Sequence, residues 1–306
     1  MVKVCPHSHN VGRHDRGKTV VEPLIKPQWF VAMNEMAKPA IKAIETGELK
    51  FVPESYAKTY LHWLENIRDW TISRQIWWGH RIPAYYAEDG TVFVARNMEE
   101  AKAQAKEKFG KEVSLREETD VLDTWFSSAL WPFSTLGWPD KTPDLEKFFP
   151  TNALVTGADI LFFWVARMVM MSLYINDEIP FSYVYLHGII RDELGRKMSK
   201  SLGNYTDPNL LMDQYSADSL RFLMLSSPVL AGEDFALIDK DVSDVARKLS
   251  MIWNVFDFFT MYAEVDGFDS EQAMAVSEFV NPLDIWLVSR VHQVRNQIAE
   301  GMEAYN

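Results

Sequence analysis

The sequence predicts an α/β protein in which a parallel sheet is followed by an all-helical region. Residues 153–157 (ALVTG) form a strand-like run that ends in glycine, an apolar helical run covers 159–173, and a second strand covers 182–186. Strand, glycine turn, helix and strand in this order are typical of a parallel βαβ unit. Long helical patterns with few strand signals follow Pro208, over residues 209–226, 240–263 and 282–304.

The first hundred residues predict helices that alternate with extended segments. A helical pattern runs from 29 to 47 and contains Pro39, which predicts a kink or two abutting helices. An amphipathic helix is expected over 54–68, and 71–86 is expected to be an extended segment, a loop and a strand. The charged run 97–109 is predicted to be a helix on a solvated surface excursion.

Composition excludes several classes of protein. The 306 residues are 47% hydrophobic and 24% charged, which is the profile of a folded chain with a buried core. The formal charge of −12 excludes a protein that coats nucleic acid with a generally basic surface, although a local basic site is not excluded. The single cysteine, Cys5, allows no internal disulfide, so we expect a cytoplasmic location.

No membrane segment is expected from the sequence. The longest apolar run, 160–173, is interrupted by Arg167 and is shorter than the roughly 20 residues that a membrane helix needs. A buried helix is the better interpretation. The N-terminal Cys5, His7, His9 and His14 have a spacing that zinc can use, but one cysteine without a second ligand pair predicts no protein-bound metal.

The segment that indicates chemistry is 187–204 (HGIIRDELGRKMSKSLGN). Between 191 and 200 it carries four basic and two acidic residues, and Gly195 gives the backbone freedom to turn. Lys197 and Lys200 lie three residues apart, as suits a loop that neutralises phosphate charge developing in a reaction. On composition alone, a solvated basic surface loop is the favoured interpretation.

Residues 197–201 (KMSKS) are identical to a signature of the class I aminoacyl-tRNA synthetases. The resemblance continues in four longer blocks, which are similar to the valyl/isoleucyl/leucyl subgroup and favour its valyl member: 63–70, 73–83, 123–132 and 156–164. From Asn204 onward the chain looks closer to isoleucyl-type enzymes, so the isoleucyl member remains the alternative.

The resemblance implies a role for each site residue. Lys197 and Lys200 would contact the phosphates of ATP, and the other ATP-binding residues would be His187, Gly188, Met198, Ser199, Ser201, Gly157 and Asp159. The amino-acid pocket would be formed by Trp77, Trp78, Asp123 and Trp125. From the residues alone, the two aspartates fit helix caps and the tryptophans fit core packing equally well.

The resemblance also implies a domain order. Residues 1–50 would be the return segment of an editing insertion, 51–225 the second half of a Rossmann-like catalytic domain, and 226–306 the start of a helical anticodon-binding domain. The family's second signature, His-Ile-Gly-His, occurs nowhere in the sequence. We therefore expect the chain to be a fragment of a longer enzyme and inactive alone.

The expected function is ATP-dependent activation of valine, with Mg²⁺ accompanying ATP, and transfer of valine to tRNA. Two hypotheses from other classes remain open. One is a synthetase-derived module that binds tRNA or a protein partner without catalysis. The other is a different nucleotidyl transferase that uses the same loop.

Overall fold

The computed structural model describes residues 4–14, 17–269 and 280–305. Within these residues the chain divides into two units. The first takes its residues from positions 4–14, 17–32 and 69–124, and the second takes them from 33–68, 125–269 and 280–305. The chain thus leaves the first unit after residue 32 and returns to it at residue 69.

The regular elements of the described residues are numbered in chain order. The strands are β1 (Phe30–Val31), β2 (Lys50–Val52), β3 (Trp70–Thr71), β4 (Ser73–Arg74), β5 (Ala84–Ala87), β6 (Val92–Val94), β7 (Leu115–Glu117), β8 (Val121–Leu122), β9 (Thr151–Gly157), β10 (Phe181–His187), β11 (Ile190–Arg191) and β12 (Phe235–Ala236). The helices are α1 (Met33–Glu45), α2 (Ser55–Glu65), α3 (Met98–Phe109), α4 (Thr124–Ser128), α5 (Trp131–Ser134), α6 (Pro143–Phe148), α7 (Arg167–Asn176), α8 (Pro208–Tyr215), α9 (Ala217–Ser226), α10 (Asp239–Val265) and α11 (Pro282–Glu303).

The second unit is built on a parallel sheet with the strand order β2-β10-β9. Strands β9 and β10 run in register from Phe181 opposite Thr151 to His187 opposite Gly157. The chain between them crosses over as a helix, so the parallel βαβ unit predicted over 153–186 is confirmed. Because both strands run the same way, their carboxyl ends meet at one edge of the sheet.

The crossover is not the single α-helix predicted over 159–173. A 3-10 turn at Ala158–Ile160 leads into a π-helical segment, Leu161–Ala166, before α7 begins. Wide turns of this kind are rare and occur mostly beside functional sites. The run Ala158–Asn176 is long and apolar enough to cross a membrane, but half of that window is buried in the protein and it joins two strands of one sheet.

Helices α1 and α2 pack within the second unit. One continuous helix, α1, contains Pro39, so the alternative of two abutting helices is wrong. This helix begins later than predicted because Phe30 and Val31 belong to strand β1, which pairs with β3 in the first unit. Its apolar face is buried at Met33, Met36, Ala37, Ala40 and Ala43.

The first unit contains the antiparallel sheet β6-β5-β7 with α3 packed against it. The Asn97 side chain caps the helix at the amide of Glu100, and Gly110 ends it with a φ of 69°. The predicted bounds of this helix are confirmed to within a residue. The predicted solvated excursion is wrong in one respect, because Ala101 and Ala105 are fully buried against the sheet.

The helical region after Pro208 differs from its prediction in two places. The pattern 209–226 is split into α8 and α9 at Ser216, whose φ is 80° and whose hydroxyl caps α9 at Ser219. Strand β12 lies beyond residue 226 and pairs in parallel with β11. A strand of two residues is too short to show a periodic pattern, which is why the sequence did not predict it. Most apolar residues of α10 and α11 are exposed.

Candidate active site

The carboxyl edge of the parallel sheet brings together several of the residues predicted to bind ATP. Gly157 ends β9 and lies opposite His187, which ends β10. A Cβ on Gly157 would lie 2.8 Å from Oδ1 of Asp159 and 3.7 Å from Cε1 of His187, so this position admits only glycine without a shift of its neighbours. The His187 ring is fixed by a 2.8 Å hydrogen-bond contact between Nδ1 and the Gly188 carbonyl oxygen.

Lys197 of the KMSKS loop reaches this edge. Its Nζ lies 3.0 Å from Oδ2 of Asp159, which is in the 3-10 turn directly after β9. The two side chains are 63% and 43% exposed, so the pair is a solvated one with a small effect on stability. Lys200 is exposed, and within the described part of the chain its ammonium has no ion-pair or hydrogen-bond partner. Lys197 is thus held only by a solvated pair and Lys200 is exposed, so both ammonium groups are accessible to an anionic ligand.

Gly188 is required by close packing. A Cβ at this position would lie 1.8 Å from the carbonyl oxygen of Glu233, a backbone atom, so no side-chain rotation could relieve the clash. The Gly188 amide donates to the Val229 carbonyl at 2.8 Å. The segment before β12 thus passes directly over the end of β10, and the ATP contact predicted for Gly188 stays a prediction.

The remaining predicted residues of the loop are Met198, Ser199 and Ser201. Met198 is half-buried, and the Ser199 amide donates to Oδ1 of Asn204 at 2.8 Å. The side chain of Ser201 lies outside the described part of the structure. Sequence reasoning missed Asp192, Asn204 and Asp234, which hold the loop. In the sequence, these three residues stand out only as polar residues within or near a basic segment that contains several glycines. That pattern is too common to predict a role in holding the loop.

The salt bridge between Arg191 and Asp234 fixes the start of the loop. Arg191 donates to Oδ2 of Asp234 through Nε at 2.6 Å, and Oδ1 of Asp234 accepts from the Ile189 amide at 2.9 Å. The Ile189 amide and the Arg191 guanidinium lower the pKa of Asp234 below its ordinary value. The contact ties β11 to the residue directly before β12 through a side chain, in addition to the backbone pairing of the two strands.

The four residues predicted for the amino-acid pocket belong to different units. Trp77 and Trp78 lie in the first unit, where their side chains are fully exposed, so they are not core aromatics. Beside them a Cβ on Gly79 would lie 2.8 Å from Cγ2 of Val121. Trp125 lies in the second unit and stacks on Phe163 with ring centroids 6.0 Å apart.

Asp123 is buried in the first unit and its charge is already paired. Its Oδ2 accepts a hydrogen bond from Trp70 Nε1 at 3.0 Å and lies 3.0 Å from Nη2 of Arg74. An ammonium group that binds this carboxylate would therefore share it with a guanidinium. The predicted substrate contact remains a prediction, and the structure adds to it a role in holding the first unit together.

The first unit also contains a carboxylate that sequence reasoning missed. Glu118 accepts hydrogen bonds from the Tyr86 hydroxyl at 2.6 Å and Trp29 Nε1 at 3.2 Å, and from the amides of Thr119 and Asp120. Burial alone would raise its pKa, but these donors outweigh burial and lower the pKa of Glu118 to about 2. Glu118 is therefore ionised, and its carboxylate accepts its hydrogen bonds from groups of its own unit.

The N-terminal cysteine and histidines do not form a cluster. Cys5 is exposed, and the rings of His7 and His9 stack 5.5 Å apart. Nδ1 of His14 accepts from the Gly17 amide. Over the ranges 4–14, 17–269 and 280–305, no three His, Cys, Asp or Glu side chains come together as a metal site.

Comparison of the sequence with known proteins identifies a family. The family model named tRNA synthetases class I (I, L, M and V) matches residues 11–236. The chain is 49% identical over 298 residues to a valine--tRNA ligase of Fusobacterium nucleatum, covering 97% of the chain and 33% of the relative. It is 48% identical to the valine--tRNA ligase of Clostridium tetani, covering 100% of the chain and 34% of the relative. The chain thus spans about a third of the length of these curated relatives.

Solved structures share the fold at lower identity. A methionyl-tRNA synthetase of Mycobacterium tuberculosis bound by methionyl-adenylate superposes with a TM-score of 0.69 at 15% identity, over 96% of this chain and 51% of that one. The ternary complex of Agrobacterium radiobacter K84 agnB2 LeuRS with tRNA and LeuAMS gives a TM-score of 0.59 at 17% identity, over 81% and 36%. With a family match over most of its length and this α/β fold, the chain belongs to the class I tRNA synthetases of the I, L, M and V group.

Proposed function

We propose that the chain supplies the KMSKS half of a catalytic site that activates valine with ATP for transfer to tRNA. The observation that carries the proposal is the position of Lys197, whose ammonium lies 3.0 Å from Asp159, in the turn that follows Gly157 at the carboxyl edge of the sheet. In open parallel sheets, ligands bind outside the carboxyl ends of the strands. The whole-chain similarity to ligases named for valine supports the choice of amino acid.

The proposed reaction needs charge stabilisation more than covalent catalysis. The valine carboxylate attacks the α-phosphorus of ATP, the bond to the β-phosphate bridging oxygen breaks, and valyl-adenylate and pyrophosphate form. A ribose hydroxyl at the end of tRNA then attacks the acyl carbon and releases AMP. Lys197 and Lys200 would stabilise the negative charge that develops on the departing pyrophosphate. Mg²⁺ would enter bound to the ATP phosphates and share this charge.

The other contacts are assigned by chemistry. Asp159 would accept from a ribose hydroxyl once Lys197 moves to the phosphates, and His187, Gly188 and Met198 would border the adenine. Ser199 and Ser201 offer polar groups next to the phosphates, and Gly157 keeps the edge open.

The amino-acid contacts are proposed from the family resemblance. Trp77, Trp78 and Trp125 would form apolar walls for a small branched side chain, and Asp123 would take the ammonium. The tRNA would be bound through local basic patches, in the cytoplasm and away from any membrane. The domain order 1–50, 51–225 and 226–306 is part of the same proposal.

Activation of isoleucine is the second candidate. It is favoured by the sequence after Asn204, whereas the relatives that match the whole chain at 45–49% identity carry the valine name. A module that binds tRNA without catalysis would retain the fold but not the exchange reaction.

Amino-acid-dependent exchange of pyrophosphate with ATP tests the proposal. The chain is extended to the length of its relatives, since about a third of their length is present here. We expect exchange with valine and much less with isoleucine. Lys200→Ala should lower kcat for exchange by about 100-fold or more, as removal of one group that stabilises developing charge does, while the KM for valine stays within about 2-fold.

Lys141→Ala is the matched control, because Lys141 is an exposed lysine of the same unit outside the loop. It should leave exchange unchanged. Exchange that prefers isoleucine would replace the substrate assignment, and exchange with no amino acid would overturn the enzymatic proposal in favour of the binding module. Equal loss of kcat and valine affinity in Lys200→Ala would contradict the role of the loop.

A further inference from the structure

The KMSKS loop is closed at its base by a small hairpin. Arg191 and Lys197 face each other across an antiparallel bridge, and the amide of Asp192 donates to the Arg196 carbonyl at 2.9 Å. Gly195 turns the chain with a φ of 72°. The loop therefore begins from a defined turn that is itself joined to the rest of the unit through β11.

The Asp192 carboxylate is the centre of this turn. Its Oδ1 accepts from the amides of Leu194 at 3.1 Å and Arg196 at 2.7 Å, and its Oδ2 accepts from Arg196 Nε at 2.8 Å. Asp192 is buried although it lies in an otherwise exposed segment. The hydrogen bond from Asn204, together with the backbone and side chain of Arg196, lowers the pKa of Asp192 to about 2 against the effect of burial.

Asn204 connects this carboxylate to the backbone of the motif. Its Nδ2 donates to Oδ2 of Asp192 at 2.9 Å and to the carbonyl oxygen of Lys197 at 3.2 Å. Its Oδ1 accepts from the amide of Ser199 at 2.8 Å. Gly203, with a φ of 65°, turns the chain back so that Asn204 reaches both sides of Met198.

We propose that Asn204, held by Asp192, is a positioning residue that sets the path of the backbone from Lys197 to Ser199 and thereby places the two ammonium groups of the loop. The proposal rests on the function proposed above. Both bonds of Asn204 to the motif are made to backbone atoms, so they constrain where the chain runs and leave the lysine side chains able to move. Lys200 begins the 3-10 turn Lys200–Leu202 directly after the constrained segment.

The chemistry gives a reason for such a constraint. Stabilisation of a departing pyrophosphate depends on cations held at a fixed distance, and displacement of a positioning group by about 1 Å lowers a rate by roughly 100-fold. A loop of exposed lysines has no apolar core to hold it. Three hydrogen bonds from one amide side chain, tied to a buried carboxylate, supply the rigidity that packing does not.

Amide hydrogen exchange on the chain itself tests the first half of the proposal. Asn204→Ala should lower the protection of the Ser199 amide by at least about 10-fold, which is about one hydrogen bond's net free energy. The Val184 amide of β10 is the internal reference and should keep its protection. Asn209→Ala, which removes an exposed asparagine that bonds only locally to Asp207, is the matched control and should change neither amide.

Pyrophosphate exchange in the chain extended to the length of its relatives tests the second half. Asn204→Ala should lower kcat by about 10- to 100-fold with the KM for valine within about 2-fold. Asn204→Asp should be worse, because it places a second carboxylate where Nδ2 donates to Asp192 at 2.9 Å. The double variant Asp192→Asn with Asn204→Asp restores one donor-acceptor pair, and exchange should recover in part.

The outcomes separate the two proposals. Unchanged Ser199 protection in Asn204→Ala overturns the positioning role, as does normal kcat when that protection is lost. Loss of Val184 protection in Asn204→Ala also overturns it, because Asn204 and Asp192 would then stabilise the whole fold and not the loop. If the unsubstituted protein exchanges with no amino acid, the proposed function fails and the catalytic part of this inference fails with it, while the Ser199 amide still decides whether Asn204 fixes the loop.

Discussion

The surroundings of Asp123 in the first unit differ from those of Asp159 in the second, although both carboxylates were assigned to ligand contacts. Asp123 is buried, and it is bonded to Trp70 and paired with Arg74. Asp159 lies at an exposed sheet edge, and its partner Lys197 is itself 63% exposed. The charge of Asp123 is compensated by a partner inside the protein. The charge of Asp159 is paired with a solvated lysine side chain, which can move away.

The difference separates two uses of charge in one chain. A buried carboxylate must be paired, because an ion without a partner is strongly destabilising away from water. An exposed carboxylate loses little free energy when its partner moves, because water solvates it. It can therefore replace a lysine by a ligand with little change in stability. The contrast predicts that charge changes in the first unit affect mainly stability, while those at the sheet edge affect mainly the reaction.

The largest effect on stability is expected at Asp123. Asp123→Asn keeps an acceptor for Trp70 but leaves the Arg74 guanidinium without its counter-charge. Loss of one member of a buried pair costs about 3–5 kcal/mol, and because the Arg74 side chain is 38% exposed we expect about 2 kcal/mol. The opening free energy measured by hydrogen exchange at the Leu122 amide, which bonds to the His80 carbonyl, reports the change.

Asp218→Asn is the control, since Asp218 and its partner Arg221 are at least 76% exposed. It should change stability by less than about 0.5 kcal/mol. An equally small effect of Asp123→Asn would remove the contrast between the two regions.

A smaller, pH-dependent effect is expected at Glu118. Its pKa is about 2 in the folded protein, below the value of about 4.3 in an unfolded chain, so its contribution is complete above about pH 4.3 and is lost as the pH falls toward 2. Glu118→Gln should lower the free energy of unfolding by about 1 kcal/mol at pH 7, after discounting for partial exposure. Urea unfolding between pH 7 and pH 3 should show the two proteins converging with acid, and a constant difference would contradict the assignment.

The smallest effect on stability is expected at Lys197. Lys197→Met removes an ion pair between exposed groups and should change the free energy of unfolding by less than about 0.5 kcal/mol. Unfolding followed at low and high salt measures it, with Lys38→Met, from the exposed pair with Glu35, as the control. A decrease of about 2 kcal/mol or more in the free energy of unfolding would show that the Lys197–Asp159 pair stabilises the sheet edge. The contrast with Asp123 would then be lost.

Elements whose signals are local could be predicted from the sequence. The helix predicted over 97–109 is α3 at Met98–Phe109, because Asn97 and Gly110 mark its ends by side-chain and backbone chemistry alone. The βαβ unit was predicted because β9, its crossover and β10 each extend over several residues. The π-helical turn was not predicted, since its residues carry the same apolar pattern as an α-helix.

Contacts between distant residues could not be predicted in the same way. Arg191 and Asp234 are separated by 43 positions, and Trp70 and Asp123 by 53. Both acidic residues looked like ordinary polar positions or caps. No period or local composition marks such partners, because they meet only after the chain has folded.

The amino-acid sequence by itself determined the class of fold, the lysine loop and the family resemblance, because strand and helix periods and a contiguous motif are properties of neighbouring residues. Only the tertiary structure decided which charges are already compensated. It placed Lys197 beside Asp159, paired Asp123 with Arg74, and put Asn204 across the backbone of the loop. The physical reason is that burial and charge pairing depend on distances in space, which the order of residues along the chain does not specify.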